Sequence, residues 1–123
     1  MRRTLLAATL CFTALGRAVG FVDGDTFDAE LRIWSTVTVH ERVRVYGVDT
    51  PEKKGATMPA ALAAQAFTES WLRLGGFTLR TCGRDSFGRV LGIVTRPTSG
   101  EGGGGLSDAL IGAGHGRQYR DGR

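Results

Sequence analysis

Two runs of alternating side chains, set almost end to end, constrain this chain most. From Thr26 to Ile33, the residues Phe27, Ala29, Leu31 and Ile33 share one side of an extended backbone, while Asp28, Glu30 and Arg32 take the other. From Val37 to Val48, the residues Val37, Val39, Val43 and Val45 share a face; Thr38, His40, Arg42, Arg44 and Tyr46 lie opposite. Successive strand side chains point to opposite faces, so a period of two predicts half-buried strands. Glu41 interrupts the apolar face and predicts a bend or bulge.

The rest of the chain falls around these strands. Residues 19–23 read as a short first strand. Residues 49–57 break the alternation with Pro51, Gly55 and charges, which makes a loop. Met58 to Leu74 has helical spacing, with Leu62, Ala63, Ala66, Phe67 and Leu74 on one side. Thr57 is placed to cap that helix, Pro59 suits its first turn, and Gly75-Gly76 ends it. Phe77 to Cys82 and Arg89 to Thr95 read as strands joined by the polar turn Gly83 to Gly88. Residues 98–105 are rich in glycine and lack the Gly-Lys-Ser/Thr ending of a phosphate loop, so they read as a linker. Leu106 to Ala113 is a short helix, and Gly114 to Arg123 a polar tail.

Three strands, a helix, two strands and a helix contain no parallel strand–helix–strand alternation. The economical fold is mainly β with helices (α+β): an OB-fold, a five-stranded barrel with a helix after strand three and a short late helix. At 123 residues the chain is one domain. Its 41% hydrophobic content supports a core, and its apolar runs fall short of the ~18 residues a membrane span needs. A multidomain enzyme, a doubly wound cofactor fold and a channel are excluded.

The ends change how the formal charge of +4 is read. Arg2-Arg3, the apolar stretch Thr4 to Leu15 and the small residues Gly16 and Ala18 have the layout of an export signal, giving a leader at 1–18 and a domain at 19–123. The competing reading makes residues 1–18 the first strand or an upstream mis-start. Cleavage would remove three of the 16 basic residues and none of the 12 acidic ones. Bulk charge is then a poor argument for nucleic acid, and local placement must carry it. A lipid anchor at Cys11 is disfavoured by Leu10 before it. With Cys11 in the leader, Cys82 stands alone, has no intrachain partner and reads as a buried small hydrophobe. His40 and His115 are too few and too far apart for a zinc site.

Three polar clusters sit where strands meet loops: Asp23-Gly24-Asp25-Thr26, then Arg44 to Glu52 (Arg-Val-Tyr-Gly-Val-Asp-Thr-Pro-Glu), then Asp85-Ser86-Phe87-Gly88-Arg89. Barrel closure could bring these rims together. Each alone is ordinary turn or loop chemistry, since Asp-Gly is a common hairpin signal. In this order they resemble the staphylococcal-nuclease-like (thermonuclease) family, over about Val19 to Tyr119. The late helix from Leu106 to Ile111, followed by Gly114, is similar too.

The resemblance implies Ca²⁺-dependent, sequence-nonspecific hydrolysis of DNA and RNA, with single strands preferred, by an exported monomer. It implies that Asp25 and Asp49 ligate Ca²⁺ through carboxylates and Thr50 through its backbone carbonyl. Glu52 would act as general base or water-orienting carboxylate, and Arg44 and Arg89 would grip the phosphate. Lys53, Lys54, Phe87 and Tyr119 are substrate-contact candidates; Phe87 stands where the family often has a tyrosine, so one hydroxyl contact is missing. Asp85 reads as structural. The long C-terminal helix of the best-known members is absent.

The residue types suit that chemistry. A hard dication takes oxygen ligands. Guanidiniums offer paired donors to the charge that builds on phosphoryl oxygens. One aimed donor is worth ~10²–10³ in rate, and a positioned carboxylate adds ~10²–10⁴. The competing function is a non-catalytic OB-fold module that binds nucleic acid or protein.

Overall fold

Alternation along the strands becomes the wall of a closed barrel. The computed structural model describes residues 10–96 and 104–119. The strands are β1 (Phe12–Asp23), β2 (Thr26–Trp34), β3 (Val37–Val45), β4 (Val48–Asp49), β5 (Phe77–Arg84), β6 (Val90–Thr95) and β7 (Arg117–Gln118). The helices are α1 (Met58–Arg73) and α2 (Leu106–Gly112), and a single 3₁₀ turn over Gly55–Thr57 leads into α1. The barrel order is β1-β2-β3-β6-β5, and β4 pairs with β7 as a separate two-stranded ribbon. All pairings are antiparallel except β3 with β6, which is parallel. This is the α+β, OB-like barrel expected, with α1 following the third barrel strand.

The core is the inward face of those strands. Phe27, Ala29, Leu31, Val43 and Val45 are buried, as the period of two requires. Phe27 meets Phe77 edge to face across the barrel at 5.4 Å. Leu106 and Leu110 of α2 join the same cluster. Each fully buried side chain of this size contributes roughly 1.5–3 kcal/mol of transfer free energy.

Several local expectations are corrected. The first strand begins at Phe12, not at residue 19, and runs through the second half of the segment read as a leader. Every β1–β5 pair lies within it, from Phe12↔Thr81 to Gly16↔Phe77. Cys82 is not a solitary buried thiol. It is exposed and forms a disulfide with Cys11 across the β1–β5 seam. The residues between Phe77 and Arg84 alternate, and Cys82 falls on the outward side.

Glu41 produces no bulge, because β2–β3 register runs without a shift through Ala29↔Glu41. Arg84 neutralises it with two hydrogen bonds at 2.9 and 2.7 Å. The irregularity falls instead between Arg32 and Trp34.

Helix α1 has the expected span and proline but the opposite face. It buries Ala61, Ala64, Thr68 and Leu72, while Leu62, Ala63, Ala66 and Leu74 are exposed and Phe67 is half-buried. The cause is close approach. A Cβ on Gly24 would lie 2.8 Å from the Ala64 Cβ and 2.9 Å from the Thr50 Cγ2, so α1 docks on the β1–β2 turn through small residues. Thr57 does not cap α1; its hydroxyl donates to the carbonyls of Glu52 (2.6 Å) and Lys54 (2.9 Å). The polar tail is ordered through Gln118 by the β4–β7 pairing. Most of the glycine-rich linker expected over 98–105 lies outside the described residues.

Candidate functional site

The site grows from one tight turn. Asp23 and Thr26 pair at the end of the β1–β2 ladder, leaving Gly24 and Asp25 at the tip. Thr68 of α1 donates its hydroxyl to the Gly24 carbonyl at 2.6 Å, which anchors that tip. Asp25 is thereby buried at 7% exposure, and such a carboxylate needs partners. Its Oδ1 accepts from the Thr26 hydroxyl at 2.9 Å. Its Oδ2 accepts from the Thr50 N–H and Thr50 hydroxyl at 3.0 and 3.1 Å.

Arg44 comes to the same place from β3. Residue parity puts it on the polar side of the strand, yet it is only 8% exposed, because the β4 segment and its turn fold over it. Both Nη1 hydrogens go to backbone carbonyls, Val45 at 2.9 Å and Val48 at 2.8 Å. The Nη1 atom also lies 3.6 Å from Asp25 Oδ2, and Nη2 lies 3.4 Å from Asp49 Oδ1. Asp25, Arg44, Asp49 and Thr50 thus form one charge cluster drawn from three separated segments.

Asp23 belongs to it, although its turn-forming role alone would not single it out. Its Oδ1 is buried without a hydrogen-bond partner among the described residues. Burial, and next the charge of Asp25, push its pKa above the usual carboxylate range, against the opposing charges of Lys53, Arg44 and Arg89.

Beside the cluster lies a cleft of about 620 Å³, whose walls include Arg44, Asp49, Arg84, Phe87, Arg89 and Tyr119. Arg89 is held by Asp85, whose Oδ2 accepts from its Nε at 2.7 Å. Asp85 has the structural role expected. Burial alone would raise its pKa, but the N–H groups of Arg89 and Phe87 and the Arg89 guanidinium outweigh burial and lower it. The Arg89 guanidinium lies 5.2 Å from the Phe87 ring centre, and that of Arg44 lies 5.6 Å from the Tyr119 ring centre, both within cation–π reach. Phe87 is otherwise 81% exposed, an open aromatic face.

Glu52 stands apart from the cluster. Its side chain is exposed and paired with Lys54 at 3.2 Å. It lines a smaller cleft of about 330 Å³ together with Asp49, Thr50, His115 and Arg117. Lys53 reaches back to the Val22 carbonyl at 2.5 Å, which ties the loop to β1.

Sequence reasoning missed Arg84 and Arg117 as cleft residues. Arg84 directly precedes the Asp85 cluster, a usable signal. Arg117 lies in the segment read as a polar tail, and only strand pairing with Asp49 brings it in. Among the described residues, no group of three or more His, Cys, Asp or Glu is arranged to hold a metal ion. No helix of the described residues is long and apolar enough to cross a membrane. No protein-family model matches this chain, and no curated protein sequence matches it.

Proposed function

We propose that this chain is a Ca²⁺-dependent, sequence-nonspecific nuclease of the staphylococcal-nuclease-like kind, acting on DNA and RNA. The observation that carries this reading is the convergence of Asp25, Arg44, Asp49 and Thr50 beside a cleft that also holds Arg89 and the rings of Tyr46, Phe87 and Tyr119. Arginines and open rings together suit a polyanion with stackable bases.

The donor chemistry fits a hard cation. Asp25, Asp49 and the Thr50 carbonyl offer oxygen only, the ligand type a hard cation takes, and Asp23 adds a buried oxygen without a hydrogen-bond partner among the described residues. Water would complete the shell. Bound there, Ca²⁺ would polarise a phosphoryl oxygen and orient the substrate.

The chain's own residues supply the rest. Arg89 and the Nη2 end of Arg44 donate hydrogen bonds to the phosphate oxygens, where negative charge grows as water attacks phosphorus. The bond from phosphorus to the leaving sugar oxygen breaks, and that oxygen takes a proton from solvent water. Glu52, released from Lys54, accepts the proton of the attacking water. Lys53, Lys54, Phe87 and Tyr119 contribute backbone and base contacts.

Export is part of the same proposal, since a disulfide suits an oxidising compartment. Cleavage at Ala18 would discard the strand residues that close the barrel.

One observation favours the second reading, a binding module without turnover: Glu52 faces solvent and pairs with Lys54 rather than with the cluster. Hydrolysis of heat-denatured DNA by the full chain separates the two. Cleavage that requires Ca²⁺, stops with excess chelator and falls by ~10²–10⁴ in Glu52→Ala supports the nuclease. Binding of the same DNA by the folded chain without cleavage overturns it in favour of the module.

A further inference from the structure

Asp49 lines both clefts, the larger one with the arginines and Tyr119 and the smaller one with Glu52, His115 and Arg117. The tail segment serves both. It is held by the Val48↔Gln118 and Asp49↔Arg117 pairs and by the Tyr119 N–H donating to the Gly47 carbonyl at 3.0 Å. The approach is tight by design of the backbone: a Cβ on Gly116 would lie 2.6 Å from the Val48 Cγ2 and 3.1 Å from the Asp49 carbonyl. A glycine there lets the segment lie against β4.

Tyr119 reaches the larger cleft and Arg117, two residues earlier, the smaller. Two strand residues advance about 6.6–6.8 Å. That is comparable with the step of one nucleotide along an extended single strand. Arg117 is poorly committed, with an 84% exposed side chain and its Nη2 3.8 Å from Asp49 Oδ2, beyond hydrogen-bond distance. His115, half-buried against Phe67 at 5.0 Å between ring centres, lines the same cleft.

Resting on the nuclease reading, we propose that the smaller cleft is a second nucleotide subsite, in which Arg117 binds the phosphate next to the one gripped by Arg44 and Arg89. The substrate is then an extended single strand that crosses Asp49 and fills both clefts, rather than a mononucleotide unit in one.

The test is equilibrium binding by the full chain in the Glu52→Ala background with Ca²⁺, using thymidine 5′-monophosphate and a short labelled oligothymidylate at several salt concentrations. Arg117→Ala is expected to weaken oligothymidylate about tenfold and to reduce its salt slope by about 0.7, the value for one phosphate contact on a single strand. Monophosphate binding should stay within about twofold, and Arg117→Lys should keep the slope. Equal weakening of both ligands would show that Arg117 acts only through Asp49, and no weakening of either would remove it from the site; each overturns the subsite. Equal wild-type affinity for the two ligands overturns the subsite and leaves the nuclease reading standing. Failure of the chain to bind either ligand overturns both.

Discussion

Thr50 gives two hydrogen bonds to a single oxygen of Asp25, one from its backbone N–H and one from its hydroxyl. This joins the β1–β2 turn to the loop after β4 and fixes two of the proposed ligand residues relative to each other. A hydrogen bond to a charged group is worth roughly 1.5–3 kcal/mol. Thr50→Val keeps the shape and the N–H but loses the hydroxyl. It is expected to lower the unfolding free energy by about that amount with an unchanged urea slope. A loss under ~0.5 kcal/mol would show that the N–H alone holds the carboxylate.

The contact between Gly24 and α1 predicts a sharper effect. Gly24→Ala places a methyl against Ala64 and Thr50, and neither neighbour is the far end of a flexible chain. Overpacking of this kind costs about 1–3 kcal/mol. Thr68→Val leaves the buried Gly24 carbonyl without its donor and costs about 1–3 kcal/mol. Thermal melts of the two variants check both values. Amide exchange at Gly24 and Asp25 should accelerate in each, because the turn loses its anchor.

The β1–β5 seam predicts the behaviour of shortened and reduced chains. A chain starting at residue 19 lacks all five β1–β5 register pairs and the buried Ala14. It is expected to show no cooperative thermal transition, whereas the full chain does. Cys82→Ser keeps the strand and loses only the covalent link, with an expected cost of about 2–4 kcal/mol. Circular dichroism melts with and without reductant distinguish the two losses.

Acid stability follows from Asp85. Its folded carboxyl lies below the ordinary value, so its contribution is complete above that ordinary value and is lost as pH falls through the lowered folded one. Asp28 and Glu41, lowered chiefly by hydrogen bonds from Arg42 and Arg84, act in the same direction. Asp23 runs the other way: its stabilising contribution is present at acid pH and lost as pH rises through its raised folded value. Asp85→Asn is therefore expected to destabilise near neutrality and to converge on the wild type in acid. Asp23→Asn, in the absence of Ca²⁺, should raise stability near neutrality. Urea titrations across pH measure both, and a parallel offset at every pH would contradict the assignment.

For the proposed activity, Arg89 is the informative position. Arg89→Ala should lower kcat by ~10²–10³. Arg89→Lys should recover little, because an ammonium cannot reproduce the planar paired donors. Single-turnover rates on heat-denatured DNA make the comparison; full recovery by lysine would reduce Arg89 to a general positive charge.

The barrel was legible because its strands are half-buried. Phe27, Ala29 and Leu31 alternate with Asp28 and Glu30, and that pattern leaves one pairing face. The candidate cluster was legible in order but not in geometry. Asp25, Arg44, Asp49 and Thr50 lie in two of the three polar motifs and do meet, while Glu52 does not join them. Two features resisted for physical reasons. The inward face of α1 is set by the room at Gly24, which a count of large apolar residues overlooks. The strand Phe12–Asp23 carries the apolar run and paired small residues of a leader, and chain composition does not distinguish a barrel strand of that kind from an export signal. Cys82 followed from the same choice, since its partner sits one residue before that strand.

The parallel β3–β6 seam sets the order of events during folding. Val43, Arg44 and Val45 find Val90, Leu91 and Gly92 only after the whole of α1 and β5 has been laid down between them. Non-local, parallel pairing of this kind forms slowly, because the entropy of loop closure is spent before the contacts reward it. Arg44 is itself one of the residues in that last seam. A chain with its hairpins formed but its barrel still open therefore has Arg44 beside the two carboxylates through the Thr26↔Arg44 pair, but lacks the wall that Arg84, Phe87 and Arg89 give the cleft. In a refolding experiment, competence to bind nucleotide should return with the slowest phase rather than with the bulk of the secondary structure.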